Sequence, residues 1–144
     1  MLVQQILKTK ANTDVFTIAP GLAVSDAAAK LSENRIGALI VADESGHVVG
    51  VLSERDIVRT LGQRGAGCLN DKVDEMMTTD LVCATRQDTG ESVLQRMTDG
   101  RFRHMPVLED GKLIGVITLG DVVKARLAEL AMENESMQGM IMGR

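Results

Sequence analysis

The sequence has almost no aromatic side chains: no Trp, no Tyr and only two Phe among its 144 residues. Proteins that bind single-stranded nucleic acid stack bases on such rings, so the composition argues against that class. The formal net charge of −4 argues the same way, because phosphate binding needs a basic surface. We therefore expect no nucleic-acid partner, and any pocket for a nucleobase must be lined by aliphatic side chains.

Cysteine and long apolar runs are also scarce. Cys68 and Cys83 have no metal-ligand spacing with each other or with a histidine, so we expect free thiols and no metal site. No apolar run reaches the roughly 18 residues of a membrane-spanning helix. The first eight residues lack the basic and apolar regions of a signal peptide. These absences predict a cytoplasmic protein with no membrane partner.

An internal repeat organises the chain. Residues 38–58 match residues 104–123, with Gly50 aligned to Gly115. Upstream the offset grows by one residue, because the turn at 43–46 is one residue longer than its partner. We divide the chain into a first repeat, a Gly-rich flexible linker, a second repeat and a Met-rich helical tail: 1–61, 62–70, 71–127 and 128–144.

Each repeat is predicted to contain the same elements: a short helix, a brief extended segment, an amphipathic helix, two apolar strands and a closing helix. In the first repeat the short helix, the extended segment, the two strands and the closing helix cover 2–8, 15–18, 37–42, 47–53 and 54–61, and the amphipathic helix carries the apolar residues Val24, Ala27, Ala28, Leu31 and Ile36. In the second repeat these elements cover 71–77, 81–84, 104–108, 112–118 and 119 onward, and the amphipathic helix carries Val93, Leu94 and Met97. Ser25 or a neighbour is expected to cap the first amphipathic helix.

The order β-α-β-β-α predicts an α/β fold with three-stranded sheets. A unit this small cannot bury both faces of its sheet alone. We therefore expect the two repeats to pack as a pseudo-twofold pair.

One motif occurs twice, where an apolar strand ends at a hydroxyl residue and an aspartate follows three residues later. The two copies are Ser53-x-x-Asp56 and Thr118-x-x-Asp121. The hydroxyl and the aspartate can cap the following helix, which accounts for each copy by itself. Alternatively, the carboxylate can accept hydrogen bonds from the vicinal hydroxyls of a ribose, with a phosphate at the helix N-terminus. The two roles are compatible, and capping is the favoured explanation on physical grounds alone.

A second signal is a cluster of basic residues just before and on the first long strand of the second repeat, in the run Arg101 to Pro106. An arginine fork can grip a phosphate in two places, and His104 can donate to one. A lone histidine on an apolar strand is also commonly a satisfied core residue. The first repeat has Ile36-Gly37-Ala38 at the matching place, which lets a flat base approach the backbone. The repeats are therefore chemically unequal.

At these residues the sequence resembles a tandem CBS-domain protein, of the small type that consists of one CBS pair (a Bateman module). The resemblance rests on the doubled Gly-apolar-apolar-Ser/Thr-x-x-Asp pattern and on Arg103-His104-Met105-Pro106-Val107. It covers residues 1–127 and leaves only the tail outside. It implies a disk-like module that often forms a homodimer and binds adenosine-containing ligands in clefts between the repeats.

The resemblance also implies roles for individual residues. Asp56 and Asp121 would hold ribose hydroxyls, Ser53 and Thr118 would contact ribose or phosphate, and Arg103 and His104 would take phosphate charge. The adenine of the Asp121 cleft would lie against Thr17, Ile36, Gly37 and Ala38, and the Asp56 cleft would use Thr85 or Cys83, Phe102, Arg103 and His104. Arg55 and Pro106 complete the candidate set. We expect a phosphate to bind better in the Asp121 site than in the Asp56 site.

Three functions compete at this stage. The leading hypothesis is a regulatory sensor without catalysis, an energy sensor that needs no cofactor and binds AMP, or else NAD, ATP, ADP or S-adenosylmethionine. Its conformational change would be read by an unknown enzyme or transporter. The alternative is a structural or protein-interaction module without a nucleotide, which dimerises through helices and the Met-rich tail. An enzyme such as a nucleotide hydrolase is the third, and no base, nucleophile or metal cluster supports it.

Overall fold

A computed structural model describes residues 1–10 and 15–141 of the chain, with side chains described through residue 135. The helices are α1 (Val3–Thr9), α2 (Val24–Asn34), α3 (Glu54–Arg64), α4 (Val73–Met76), α5 (Gly90–Gly100) and α6 (Leu119–Ile141), with a 3₁₀ helix over Ala66–Asn70. The strands are β1 (Thr17–Ile18), β2 (Ala38–Ala42), β3 (Val48–Ser53), β4 (His104–Glu109) and β5 (Lys112–Thr118). This order confirms the predicted α/β fold, and each predicted strand of the two hairpins is present.

The chain folds into two compact units. The unit that carries Asp56 contains Asp14–Val82 and Asp110–Leu113; we call it the Asp56 unit. The unit that carries Asp121 contains Met1–Thr13, Cys83–Glu109 and Ile114–Arg144; we call it the Asp121 unit. The repeat boundaries along the sequence stay a prediction, but the packing exchanges the leading helices. Helix α1 packs within the Asp121 unit and α4 within the Asp56 unit.

The Asp56 unit is built on the sheet β1-β2-β3. Strand β1 runs parallel to β2, with Thr17 opposite Ile40, and β2 runs antiparallel to β3, with Ala38 opposite Ser53. Helix α2 buries Val24, Ala27 and Leu31, which share one helix face. The core of the unit comprises Ile18, Val24, Ala27, Leu31, Leu39, Val41, Leu52, Ile57 and Val73.

Two local details of the Asp56 unit refine the expectations from the sequence. Ser25 lies inside α2, whose N-cap is Ala23, and the Asp26 carboxylate accepts the Ala23 N–H at 3.3 Å. Asp26, the neighbour of Ser25, therefore bonds to the backbone at the start of the helix in place of the serine. The segment 62–70, predicted as a linker, completes α3 and forms the 3₁₀ helix, in which Cys68 is buried; its role as a linker between the repeats stays a prediction.

The Asp121 unit contains the two-stranded sheet β4-β5 in place of the expected three strands. The segment 81–84 makes a single parallel bridge, Ala84 with Val107. In the first repeat the Ile40 N–H donates to the Phe16 carbonyl. Pro106 stands at the position matching Ile40 and has no N–H, so the second repeat lacks this bond.

Helices α1, α5 and α6 supply most of the Asp121 unit's core. Its buried residues are Val3, Ile6, Ala84, Val93, Met97, Met105, Val107, Ile117, Val122 and Ala125. Helix α6 continues through Ile141, so the first part of the predicted tail is helical. Met132 is exposed, whereas the side chains of Met137 and Met140, together with Met142, lie outside the described residues.

Candidate functional site

The aspartate of the first motif is held by its own turn. Ser53 ends β3 and caps α3: its Oγ accepts the Asp56 N–H at 3.2 Å. In return, Oδ2 of Asp56 accepts the Ser53 N–H at 3.0 Å and the Ser53 hydroxyl at 2.9 Å. Asp56 is 8% exposed and its Oδ1 accepts from Arg59 at 2.8 Å. The capping interpretation is thus confirmed, and the turn fixes the direction of the carboxylate.

The strand start beside this turn brings further predicted residues to the Asp56 unit's motif. The Glu54 N–H donates to the Gly37 carbonyl at 2.9 Å, and Ala38 pairs with Ser53. Thr17, Ile36, Gly37 and Ala38 are all half-buried, and Arg55 is exposed. We call Ser53, Arg55, Asp56, Gly37 and Ala38 the Asp56 half-site; Thr17 and Ile36 belong to the same unit.

The second motif repeats the turn with a different set of neighbours. Thr118 Oγ1 accepts the Asp121 N–H at 3.1 Å, and Oδ2 of Asp121 accepts the Thr118 N–H at 2.9 Å. The Leu119 N–H donates to the Arg103 carbonyl at 2.9 Å, which places the start of β4 beside the start of α6. Arg103 is exposed and His104 is half-buried. We call Thr118, Asp121, Arg103 and His104 the Asp121 half-site.

Sequence reasoning missed the lysine at the Asp121 half-site. Lys10 Nζ lies 2.9 Å from Oδ2 of Asp121 and donates to the Val116 carbonyl at 2.8 Å. The partners are more than a hundred residues apart, so no local pattern points to this contact. The Arg59 contact with Asp56, by contrast, has i, i+3 spacing on one helix and is readable from the sequence.

The Asp121 unit also contains four predicted site residues that lie outside its capping turn: Cys83, Thr85, Phe102 and Pro106. Cys83 is half-buried, and burial raises the pKa of its thiol while Arg96 opposes the rise. The exposed Thr85 donates its N–H to Asp88 at 2.9 Å, which lowers the pKa of that carboxyl. Phe102 is half-buried and Pro106 is buried.

These placements separate the candidates by unit. The expected pairing of Asp121 with the first-repeat residues Thr17 and Ile36 joins residues of two different units, and it stays a prediction. The same holds for the expected pairing of Asp56 with Phe102 and Thr85.

A cavity in the Asp121 unit is separate from the predicted site residues. A cavity of about 290 Å³ in the Asp121 unit is lined by residues of α1, α5 and α6, among them Ile6, Leu94, Thr98 and Val122, and by none of the predicted site residues. Among the described residues, no group of three His, Cys, Asp or Glu side chains is arranged to hold a metal ion. Across the same residues, each helix is too short or too polar to span a bilayer.

Comparison with known proteins identifies the repeated unit. The chain matches the CBS domain family twice, over residues 3–63 and 73–128. Its sequence is 40% identical to that of a CBS-domain containing protein from Agrobacterium tumefaciens, whose crystal structure is known. The structural match covers 88% of this chain and 99% of that one, with a TM-score of 0.83. The chain is 33% identical to a CBS domain-containing protein of Bacillus subtilis, over 90% of this chain and 88% of the relative.

A third similar protein was solved with ligands. It is a CBS domain pair in complex with 5′-methylthioadenosine and S-adenosyl-L-methionine. The two chains are 25% identical, and the match covers 90% of this chain and 98% of that one with a TM-score of 0.75.

Proposed function

This chain belongs to the CBS-domain family, and on that premise we propose that it is a regulatory module, without catalysis of its own, that binds an adenine nucleotide. The observation that carries the proposal is the Asp121 half-site. There a carboxylate fixed by a capping turn lies beside a strand start that bears Arg103 and His104. The adenosine ligands of the similar CBS domain pair support the same ligand class.

The groups of the Asp121 half-site suit a nucleoside monophosphate. A carboxylate offers about four lone-pair sites, and the two described bonds to Oδ2 of Asp121 leave room for ribose hydroxyls. The exposed Arg103 and the amides at the start of α6 suit a phosphate. We propose AMP as the ligand, with ADP, ATP and NAD as the nearest alternatives.

The Asp56 half-site is the weaker candidate for a phosphate. Its Oδ1 already accepts from Arg59, and Gly37 and Ala38 stand where the other unit has Arg103 and His104. We propose that a nucleotide occupies the Asp121 half-site first.

Regulation follows from differential binding. A nucleotide that binds one conformation of the module more tightly shifts the population toward that conformation. A regulated enzyme or transporter that contacts the module then responds to the nucleotide level, which makes the protein a cytoplasmic energy sensor.

Thermal melting with a panel of ligands tests the proposal. The panel is AMP, ADP, ATP, NAD and S-adenosylmethionine, with CMP as the control, and a dye reports unfolding because the chain has no Trp or Tyr. A ligand at 100 times its Kd adds about 2.7 kcal/mol of stability. For a chain of this size that raises the melting temperature by about 5–10 °C. An absence of any adenosine-specific rise, for protein stripped of bound nucleotide, would instead favour the interaction module.

Helix α6 carries a surface that supports self-association as a homodimer. Val123, Leu127 and Leu130 are exposed by 43%, 62% and 44%, and their spacing places them on one face of the helix. Exposed apolar stripes of this kind mark contact surfaces. We propose that a second copy of the chain binds to this face of α6.

Light scattering after size-exclusion chromatography checks the homodimer. The unmodified chain is expected to elute with the mass of a dimer, and Leu127→Ser is expected to shift it toward a monomer. Lys124→Ser, which alters an exposed residue of α6 outside the stripe, is the control and should leave the mass unchanged. A monomeric unmodified chain at high concentration would contradict the proposal.

A further inference from the structure

Lys10 places a partly buried positive charge at the Asp121 half-site. Neither the capping turn nor the repeated sequence motif requires this charge. We propose that Lys10 selects the charge of the adenosine ligand at the Asp121 half-site, so that the site favours a 5′-phosphate over a neutral or cationic 5′-group. The inference rests on the proposed function, because it specifies which adenosine ligands the same site takes.

The position of the Lys10 ammonium is fixed from two sides. Its Nζ lies 2.8 Å from the Val116 carbonyl and 2.9 Å from Oδ2 of Asp121. The side chains of Lys10 and Asp121 are only 17% and 21% exposed. Partial burial weakens solvent screening, so this charge acts on nearby groups more strongly than a surface lysine does.

The fold brings Lys10 to this place through α1. Leu7 of α1 packs on Gly115 of β5, where an added Cβ would lie 3.0 Å from Leu7 Cδ2. A glycine at this position therefore allows α1 to lie close to β5. Lys10, one residue past the end of α1, then reaches Val116 and the start of α6.

The charge balance at the two half-sites differs. At the Asp56 half-site the counter-ion Arg59 is 65% exposed and comes from the same helix as the aspartate, so water screens it. At the Asp121 half-site the partly buried Lys10 forms an ion pair with the aspartate. Arg103 adds a further positive charge at the adjacent start of β4. An incoming phosphate therefore meets a partly buried cation at the Asp121 half-site, whereas the cations of the Asp56 half-site, Arg55 and Arg59, are both exposed.

Three adenosine ligands test this selection, because they differ in the group attached to the 5′ carbon. The 5′ carbon bears a phosphate dianion in AMP, a neutral thioether in 5′-methylthioadenosine and a sulfonium cation in S-adenosylmethionine. A positive Lys10 should stabilise the first, leave the second unaffected and oppose the third. The ribose hydroxyls and the adenine are the same in all three. Because S-adenosylmethionine also carries a charged amino acid group, the comparison of AMP with 5′-methylthioadenosine is the decisive one.

The experiment is isothermal titration of each ligand into nucleotide-stripped protein, with Lys10→Met, Lys10→Arg and the control Lys8→Met, which removes an exposed charge two residues away. Loss of a charge-assisted contact is expected to weaken AMP binding by about tenfold or more in Lys10→Met. Binding of 5′-methylthioadenosine should change by less than about threefold, which is under the usual contribution of one hydrogen bond to a charged group. Lys10→Arg and Lys8→Met should keep the order of the unmodified chain.

The outcomes separate this inference from the proposed function. If the unmodified chain binds AMP but Lys10→Met leaves the ratio of AMP to 5′-methylthioadenosine affinity unchanged, the inference alone is overturned. Equal weakening of all three ligands in Lys10→Met also overturns it, because Lys10 would then only support the turn. If the unmodified chain binds no adenosine ligand, both statements fall together.

Discussion

Replacing Asp121 by alanine is expected to weaken AMP binding by about 100-fold or more. The carboxylate would accept two hydrogen bonds from the ribose, and each bond to a charged group contributes about 1.5–3 kcal/mol. Because one factor of ten in affinity corresponds to about 1.4 kcal/mol, two such bonds account for the expected loss. The removal also leaves Lys10 without its ion-pair partner. Isothermal titration of nucleotide-stripped protein measures the effect.

Asp56→Ala is the matched control for this variant, because Asp56 occupies the same motif position in the other unit. It should lower AMP affinity at the first-filled site by less than about threefold, since one such factor is well under the worth of a charged hydrogen bond. Both variants lose the carboxylate's bond to the N-cap amide and an ion pair, so a stability loss of at least about 1 kcal/mol is expected in each. Equal AMP affinity in Asp121→Ala and the unmodified chain would show that the ribose contact is misassigned.

Leu39→Ala is expected to lower the free energy of unfolding by about 2–5 kcal/mol, the range for deleting a leucine from a close-packed core. Leu39 is fully buried on β2, opposite Leu52, which is also fully buried. The cavity left behind has apolar walls and cannot be filled by water at low cost. Urea unfolding followed by circular dichroism measures the change.

Leu22→Ala is the control for the core variant, because Leu22 belongs to the same unit and is 46% exposed. It should change the free energy of unfolding by no more than about 0.5 kcal/mol, as is usual for surface positions. A loss below about 1 kcal/mol in Leu39→Ala would mean that the site collapses around the smaller side chain, contrary to a close-packed core.

The elements of this fold were predictable because each repeat carries a strong local pattern. The strands at 38–42 and 48–53 are short apolar runs on either side of a glycine turn, and the structure places them within one residue of the prediction. The same applies to the two capping turns, because a hydroxyl and an acid three residues apart interact locally.

What the sequence could not show depends on contacts between distant segments. The matching repeats suggested that each short helix stays with its own repeat, yet α1 packs with the second one. Val3 and Ile6 fit either core by composition, so only tertiary packing decides. Lys10 was missed for the same reason, since its partners lie in β5 and α6.

Native mass spectrometry of the nucleotide-stripped, unmodified chain with AMP, and separately with CMP, tests the central claim most directly. Our account predicts a species that carries AMP at micromolar ligand, with one AMP per chain appearing first, and no comparable species with CMP. Absence of the AMP species, or equal amounts of AMP and CMP species, would contradict the assignment of this chain as an adenine-nucleotide sensor.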